Sequence, residues 1–103
     1  MALDEKKIIK EIENNQLSYR KGNYIINTIP VQATTFPNTI YIYQKSENEY
    51  VVASTDPRSY IVGEKNYTIL DEAESDFYNR LAADKKAAML AEKAGRDYPP
   101  LPF

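Results

Sequence analysis

Hydrophobic residues recur at helical spacing near both ends of the chain and alternate with polar residues through its middle. Near the N-terminus, Ile8, Ile9 and Ile12 form a narrow apolar stripe among charged residues. This spacing predicts a helix from Asp4 to Asn15. Asp4 is a residue type that accepts hydrogen bonds from the first turn of a helix, so we expect it to be the N-cap.

The strongest helical pattern lies near the C-terminus. It predicts a helix from about Glu72 to Ala94, with Asp71 as its N-cap and Gly95 as its stop. One face of this helix carries four apolar side chains, Ala73, Phe77, Leu81 and Ala88. We therefore expect its first half to pack on the core.

The middle of the chain contains short runs of β-forming residues separated by turn residues. The predicted strands lie within 23–29, 39–44, 49–54, 59–62 and 67–70, and the last two flank a predicted turn at Gly63–Asn66. Residues 30–38, which are bracketed by prolines, are predicted to be a loop or an irregular edge strand. The sequence thus predicts an α+β fold, an antiparallel β-meander of four to five strands flanked by an N-terminal helix and a longer C-terminal helix. Residues 1–95 form a single α+β domain in this interpretation, and residues 96–103 form a Pro-rich docking tail.

The hairpin between residues 39 and 54 has an unusual second face. If Tyr43 pairs with Tyr50, one face holds aliphatic residues and the other holds Tyr41, Tyr43, Tyr50 and Val52. One helix can cover each side of the sheet, in which case the rings are core. Alternatively, both helices pack on the aliphatic face and the three tyrosines meet a partner, since tyrosine combines a large apolar ring with a polar tip.

The second half of the C-terminal helix has a weaker core pattern. Asp84 interrupts the apolar stripe, and alanines spread around the circumference together with Met89 and Leu90. Alanine favours helix without needing a core to pack on. This half is therefore either a solvated extension or a projection that contacts another chain, with Met89 and Leu90 as its anchors.

The final residues combine stiffness with apolar side chains. Tyr98, Leu101 and Phe103 alternate with three prolines, a composition that favours the polyproline II conformation. A preorganised segment loses less entropy when it docks. We expect Tyr98, Leu101 and Phe103 to contact either the domain's own strands or another molecule.

Composition disfavours most catalytic chemistry. The 103-residue chain contains no histidine and no cysteine, and its three glycines lie far apart. These absences remove the usual general base, thiol chemistry and the phosphate-cradling loop. We therefore expect no enzymatic activity, no metal site and no cofactor. The net charge of −2 makes nucleic acid an unlikely partner, and the sequence indicates a cytoplasmic protein without a membrane span, for which virion association stays open.

No motif assigns the chain to a family. The short N-terminal helix, the segment NEYV (48–51) and the segment FYN (77–79) are similar to small phage anti-CRISPR proteins of the Listeria type. That resemblance implies inhibition by imitating the charge of DNA, whereas here lysines offset the acids. No functional residue is carried over.

Two functions follow as hypotheses. The first is a non-enzymatic interaction module, an accessory subunit of a larger assembly that docks through the C-terminal helix and tail. A phage head or tail component fits the excess of lysine over arginine, nine to four. The alternative is an inhibitor of a host enzyme that uses the tyrosine-rich sheet face. The partner is another protein in both cases, and the chain itself can be a homo-oligomer.

Overall fold

A computed structural model of the protein describes residues 2–18 and 23–95. The chain order is α1 (Glu5–Asn14), β1 (Tyr24–Ile26), β2 (Ile40–Ser46), β3 (Glu49–Thr55), β4 (Ile61–Tyr67) and α2 (Leu70–Lys93), with a 3₁₀ turn at Gln32–Thr34 between β1 and β2. The four strands form one sheet in the order β1-β2-β3-β4. The predicted α+β class is confirmed.

The sheet is mixed, so the prediction of a purely antiparallel meander is wrong. β2, β3 and β4 pair antiparallel, whereas β1 pairs parallel with β2, Tyr24 opposite Ile40. A parallel neighbour requires the chain to return to the same end of the sheet before the next strand begins. Residues 27–39 make that return, and Asn27 and Asn38 near its two ends adopt left-handed backbone conformations.

Hydrogen bonds to the far side of the hairpin hold this connection in place. The Thr55 hydroxyl donates to the Phe36 carbonyl oxygen and accepts from the Thr39 N–H, at 2.5 and 2.8 Å. The Thr35 hydroxyl donates to the Ser59 carbonyl oxygen at 2.5 Å. The connection is therefore tied to β3 and to the turn that follows it.

β4 replaces the predicted second hairpin. The segment Gly63–Asn66, expected to be a turn, lies within a single strand. Its pairing with β3 shifts so that Gly63 and Glu64 lie opposite Ala53, and Gly63 has a φ of 63°. These are the features of a β-bulge with glycine in the left-handed region. The glycine therefore bends the strand without ending it.

Both helices pack on the same side of the sheet. The cluster there joins Leu3, Ile8 and Ile12 to Ile26, Ile40, Ile42, Tyr50 and Val52 on the strands and to Leu70, Ala73, Phe77 and Leu81 on α2. The Phe77 ring meets Tyr24 edge to face, with centroids 6.2 Å apart. The main core therefore lies between the helix layer and the sheet, and the predicted core face of α2 is confirmed.

Local hydrogen bonds define the helix ends. The Asp4 carboxylate accepts from the Lys7 N–H at 3.2 Å, which confirms the predicted cap of α1. The predicted cap of α2 is wrong, because Ile69 occupies that position and Asp71 lies in the first turn. There Asp71 complements the helix dipole. α2 ends at Lys93, before Gly95 with a φ of 74°, so Gly95 acts as the predicted stop.

Neither described helix has an apolar stretch long enough to cross a membrane.

Candidate functional site

A concave surface among the described residues lies between the end of α1 and the C-terminal half of α2. It is a groove of about 1060 Å³, lined by Asn15, Gln16 and Leu17 on one side and by α2 residues between Ala82 and Lys93 on the other. We call this surface the α2 groove. The predicted anchors Met89 and Leu90 line it and are 52% and 56% exposed. The structure thus brings these two residues together with Leu17.

The turn that ends α1 places Leu17 in the groove wall. The Gln16 N–H donates to the Glu13 carbonyl oxygen at 3.3 Å, and the Leu17 N–H donates to the Ile12 carbonyl oxygen at 3.0 Å. This pair of bonds is a Schellman motif, which needs a left-handed residue after the helix. Gln16 supplies it with a φ of 49°. Leu17 consequently turns back toward the core while still bordering the groove.

The core face of α2 continues past Asp84 into the second half of the helix. Asp84, which interrupts the apolar stripe, accepts a hydrogen bond from the side-chain amide of Asn23 at 2.7 Å. Asn23 is buried and also accepts from the Ser18 hydroxyl at 2.7 Å. Because its partners satisfy the inward carboxylate, the stripe extends to the buried Ala88. Met89 and Leu90 follow it on the helix surface that borders the groove.

Positive charge surrounds the apolar part of the groove. Lys85, Lys86 and Lys93 line it together with a single acid, Glu92. Lys85 Nζ donates to the Gln16 carbonyl oxygen at 2.6 Å, which fixes α2 against the end of α1. Within residues 2–18 and 23–95, no ion pair joins Lys86 or Lys93 to an acid.

The predicted tyrosine face does not form as expected. Gln44, rather than Tyr43, lies opposite Tyr50, because an irregularity at Lys45 shifts the pairing by one residue. A one-residue shift moves every side chain of one strand to the other face. Tyr50 therefore lies in the core beneath the helices, while Tyr41 and Tyr43 lie with Val51 and Ala53 on the opposite side.

Tyr41 and Tyr43 are themselves buried, at 2% and 6% exposure. Ile25 and Ile61 pack against this second cluster, and the Phe36 N–H donates to the Tyr41 hydroxyl at 3.4 Å. Burial, followed by the negative charge of Glu64, raises the pKa of Tyr43. In this arrangement Tyr41 and Tyr43 present little surface for another molecule to contact.

The other predicted contact residues fall in the tail. Tyr98, Leu101 and Phe103 lie outside the described residues, so their role stays a prediction. α2 ends at Lys93, three residues before the tail (residues 96–103) begins. The tail therefore follows the part of α2 that lines the groove.

Sequence reasoning missed the other half of the α2 groove. Leu17 had no signal of its own, because its position depends on a left-handed turn at a glutamine rather than at the usual glycine. The lysines did carry a signal. Ala82, Lys86, Met89 and Lys93 recur every three or four residues, which places them on one helical face.

The groove presents apolar side chains and lysine ammonium groups. Across the described ranges, no group of three or more acidic side chains is placed to hold a metal ion. Comparison of the chain with models of protein families, with curated proteins and with solved structures finds no match. A function for the chain has therefore to be argued from the geometry and charge of the groove.

Proposed function

We propose that the chain is a protein-interaction module without catalytic activity, an accessory subunit that docks into a larger assembly through the α2 groove. Residues 96–103 follow α2 in sequence, and the docking role predicted for this tail is part of the same proposal. The excess of lysine over arginine favours a phage head or tail as the setting. The exposed pair Met89 and Leu90, placed beside Leu17 in a groove, is the observation that carries the proposal.

Large apolar side chains in a groove are typical of protein contact sites. Burying a Leu or Met side chain contributes about 1.5–3 kcal/mol, and neither Met89 nor Leu90 belongs to the two core clusters. Hydrophobic grooves bind amphipathic partner helices in other proteins. Because α2 is held to the sheet through its buried face, the groove-facing residues are presented on a rigid element.

The alternative function, an inhibitor that uses a tyrosine-rich sheet face, has less support. Tyr50 lies on the other side of the sheet from Tyr41 and Tyr43, and all three rings are buried. A contact surface is expected to expose its aromatic anchors before binding. The α2 groove is therefore the better supported docking surface.

A capture experiment with matched variants tests the proposal. The tagged chain is expected to recover a protein in fixed stoichiometry from its native source, measured by mass spectrometry. Met89→Ser/Leu90→Ser is expected to lower that recovery about tenfold or more, since anchor residues dominate binding energy. Deletion of residues 97–103 is expected to weaken the same complex while the melting temperature stays unchanged.

Ile29→Ser/Val31→Ser is the matched control. These two side chains are each 57% exposed, lie on the β1–β2 connection and are not among the residues that line the groove. This variant is expected to retain the partner at the wild-type level. Full recovery with the Met89/Leu90 variant, or a loss specific to the Ile29/Val31 variant, would contradict the proposal.

A further inference from the structure

We infer that the partner element in the α2 groove is an acidic amphipathic helix from another protein. The inference rests on the proposed function and adds the chemistry of the partner. Three lysines and one glutamate border the groove, which gives it a local excess of positive charge. The chain as a whole carries a net charge of −2, so the local charge of the groove is opposite in sign to the net charge of the chain.

The shape of the groove suits a helix. Its α2 wall runs from Ala82 to Lys93, a length of about 16 Å or three helical turns. The apolar side chains of the groove are Leu17 on one wall and Ala82, Met89 and Leu90 on the other, and lysines accompany them on the α2 wall. An amphipathic helix binds such a surface by placing its apolar stripe on these side chains. The polar edge of that helix then meets the lysines.

The balance of charge on α2 changes from acidic in its first half to basic in its second half. Exposed acids, Asp71 and Glu72, lie in the first turn, whereas Lys86 and Lys93 lie along the groove. Neither of these two lysines is ion-paired with another described residue, so both charges are available to a ligand. Carboxylates on a partner helix would complement them, and lysines on a partner would be repelled.

The groove is a poor match for nucleic acid or for a cofactor with an aromatic ring. Its apolar lining consists of Leu17, Ala82, Met89 and Leu90 and includes no aromatic side chain among the described residues. Base stacking, which supports much of single-strand recognition, has no ring to use there. The combination of an aliphatic lining and lysines along α2 favours a peptide with Leu or Ile on one face and Asp or Glu beside that face.

Two designed helical peptides test the inference directly. They share one leucine face and have about four turns each, and they differ only in carrying glutamates or lysines beside that face. Fluorescence anisotropy with the full chain measures their affinities. The acidic peptide is expected to bind about tenfold or more tightly than the basic one, with a preference that weakens as salt is raised.

Two charge-reversal variants locate the effect. Lys86→Glu/Lys93→Glu is expected to remove or invert the preference for the acidic peptide. Lys10→Glu/Lys45→Glu changes the net charge equally at exposed positions outside the groove, and it is expected to leave the preference intact. Met89→Ser/Leu90→Ser is expected to weaken binding of the acidic peptide.

The outcomes separate this inference from the proposed function. Equal binding of both peptides, binding of neither, or a preference unchanged by Lys86→Glu/Lys93→Glu would overturn the acidic-helix inference. So would light scattering that shows a dimer broken by Met89→Ser/Leu90→Ser, because the occupant would then be a second copy. If these results appear while captured partner still depends on Met89 and Leu90, the proposed function stands and only the chemistry of the occupant is wrong.

Discussion

At the scale of single residues, two buried polar atoms on α2 lack a hydrogen-bond partner in the described part of the chain. They are Oε2 of Glu74 and the hydroxyl of Tyr78. The other carboxylate oxygen of Glu74 pairs with Lys7 Nζ at 3.3 Å, which ties α1 to α2. Burial, followed by the negative charges of Glu74 and Glu11, raises the pKa of Tyr78 to about 12.

Tyr78→Phe is expected to leave stability at pH 7 equal to or greater than that of the wild type, because it removes a hydroxyl that has lost water without gaining a partner. Because folding raises the pKa of Tyr78, ionisation above the unfolded pKa of about 10 disfavours the folded state relative to the unfolded state. The wild type therefore loses stability as the pH rises from about 10 toward 12. The variant should therefore lose less stability than the wild type between pH 10 and 12, measured by urea denaturation.

Tyr24, Tyr43 and Tyr67 also have raised pKa values and are unchanged in this variant. They provide a common background against which the Tyr78 contribution is measured. A loss of more than about 1 kcal/mol at pH 7 would show that the hydroxyl has a partner after all.

Asp76 is the residue that couples α2 to the edge strand β4. Its carboxylate accepts from the Tyr67 hydroxyl at 2.6 Å and from Arg80 Nε at 2.9 Å, and the Arg80 guanidinium also donates to the Ser54 hydroxyl at 2.8 Å. Burial by itself would raise the pKa of Asp76. The hydrogen bonds from Arg80 and Tyr67 outweigh it, so the pKa is lowered.

Asp76→Asn is expected to lower the free energy of unfolding by about 1–3 kcal/mol at pH 7. A lowered carboxyl pKa stabilises the fold above the unfolded value of about 3.9, and this contribution disappears as the pH falls through the folded pKa. The difference between wild type and variant should therefore shrink below about pH 4. Asp56, whose pKa is lowered first by the Tyr60 backbone hydrogen bond, is present in both proteins. A difference that stays constant with pH would contradict the assigned role.

At the scale of elements, the sequence predicted both helices to within about two residues, because helical spacing is a local signal. The N-caps were predicted less well. Asp4 caps α1 as predicted, whereas Asp71 lies within the first turn of α2, which begins at Leu70. The strand register could not be predicted. The irregularity at Lys45 and the bulge at Gly63 each add a residue to one strand of a pair. The alternation of apolar and polar residues in the sequence does not reveal these added residues.

Only one wall of the α2 groove could likewise be predicted from the sequence. Met89 and Leu90 could be predicted as anchors because they are apolar residues outside the core stripe of α2. The opposite wall could not, since it depends on how far α1 runs and on the backbone conformation of Gln16. The parallel pairing of β1 with β2 could not be predicted either, because the course of residues 27–39 is set by contacts with β3 and with the turn that follows β3.

Gln16→Gly tests the turn that forms this wall. Glycine adopts the left-handed conformation without steric cost, so the variant is expected to be more stable by about 0.5–1 kcal/mol, measured by urea denaturation. Gln16→Ala retains the steric cost and should stay close to the wild type. If alanine stabilises as much as glycine, the effect comes from the lost side chain and the backbone interpretation is wrong.

At the scale of the whole molecule, the sheet has two sides with different neighbours. Both described helices cover one side, and the second cluster of Tyr41, Tyr43, Val51 and Ala53 lies on the other. The tyrosine rings are thereby used for packing. The α2 groove combines exposed apolar side chains with positive charge, in a chain that is acidic overall. The α2 groove is therefore the surface that we expect to bind a partner.

Hydrogen exchange of the chain, alone and in complex with its captured partner, tests this assignment most directly. Binding in the groove is expected to slow amide exchange in residues 82–93 and around Leu17, while β2 and β3 change little. Slower exchange confined to residues 27–39 or to the strands that carry Tyr41 and Tyr43, with residues 82–93 unaffected, would contradict the account.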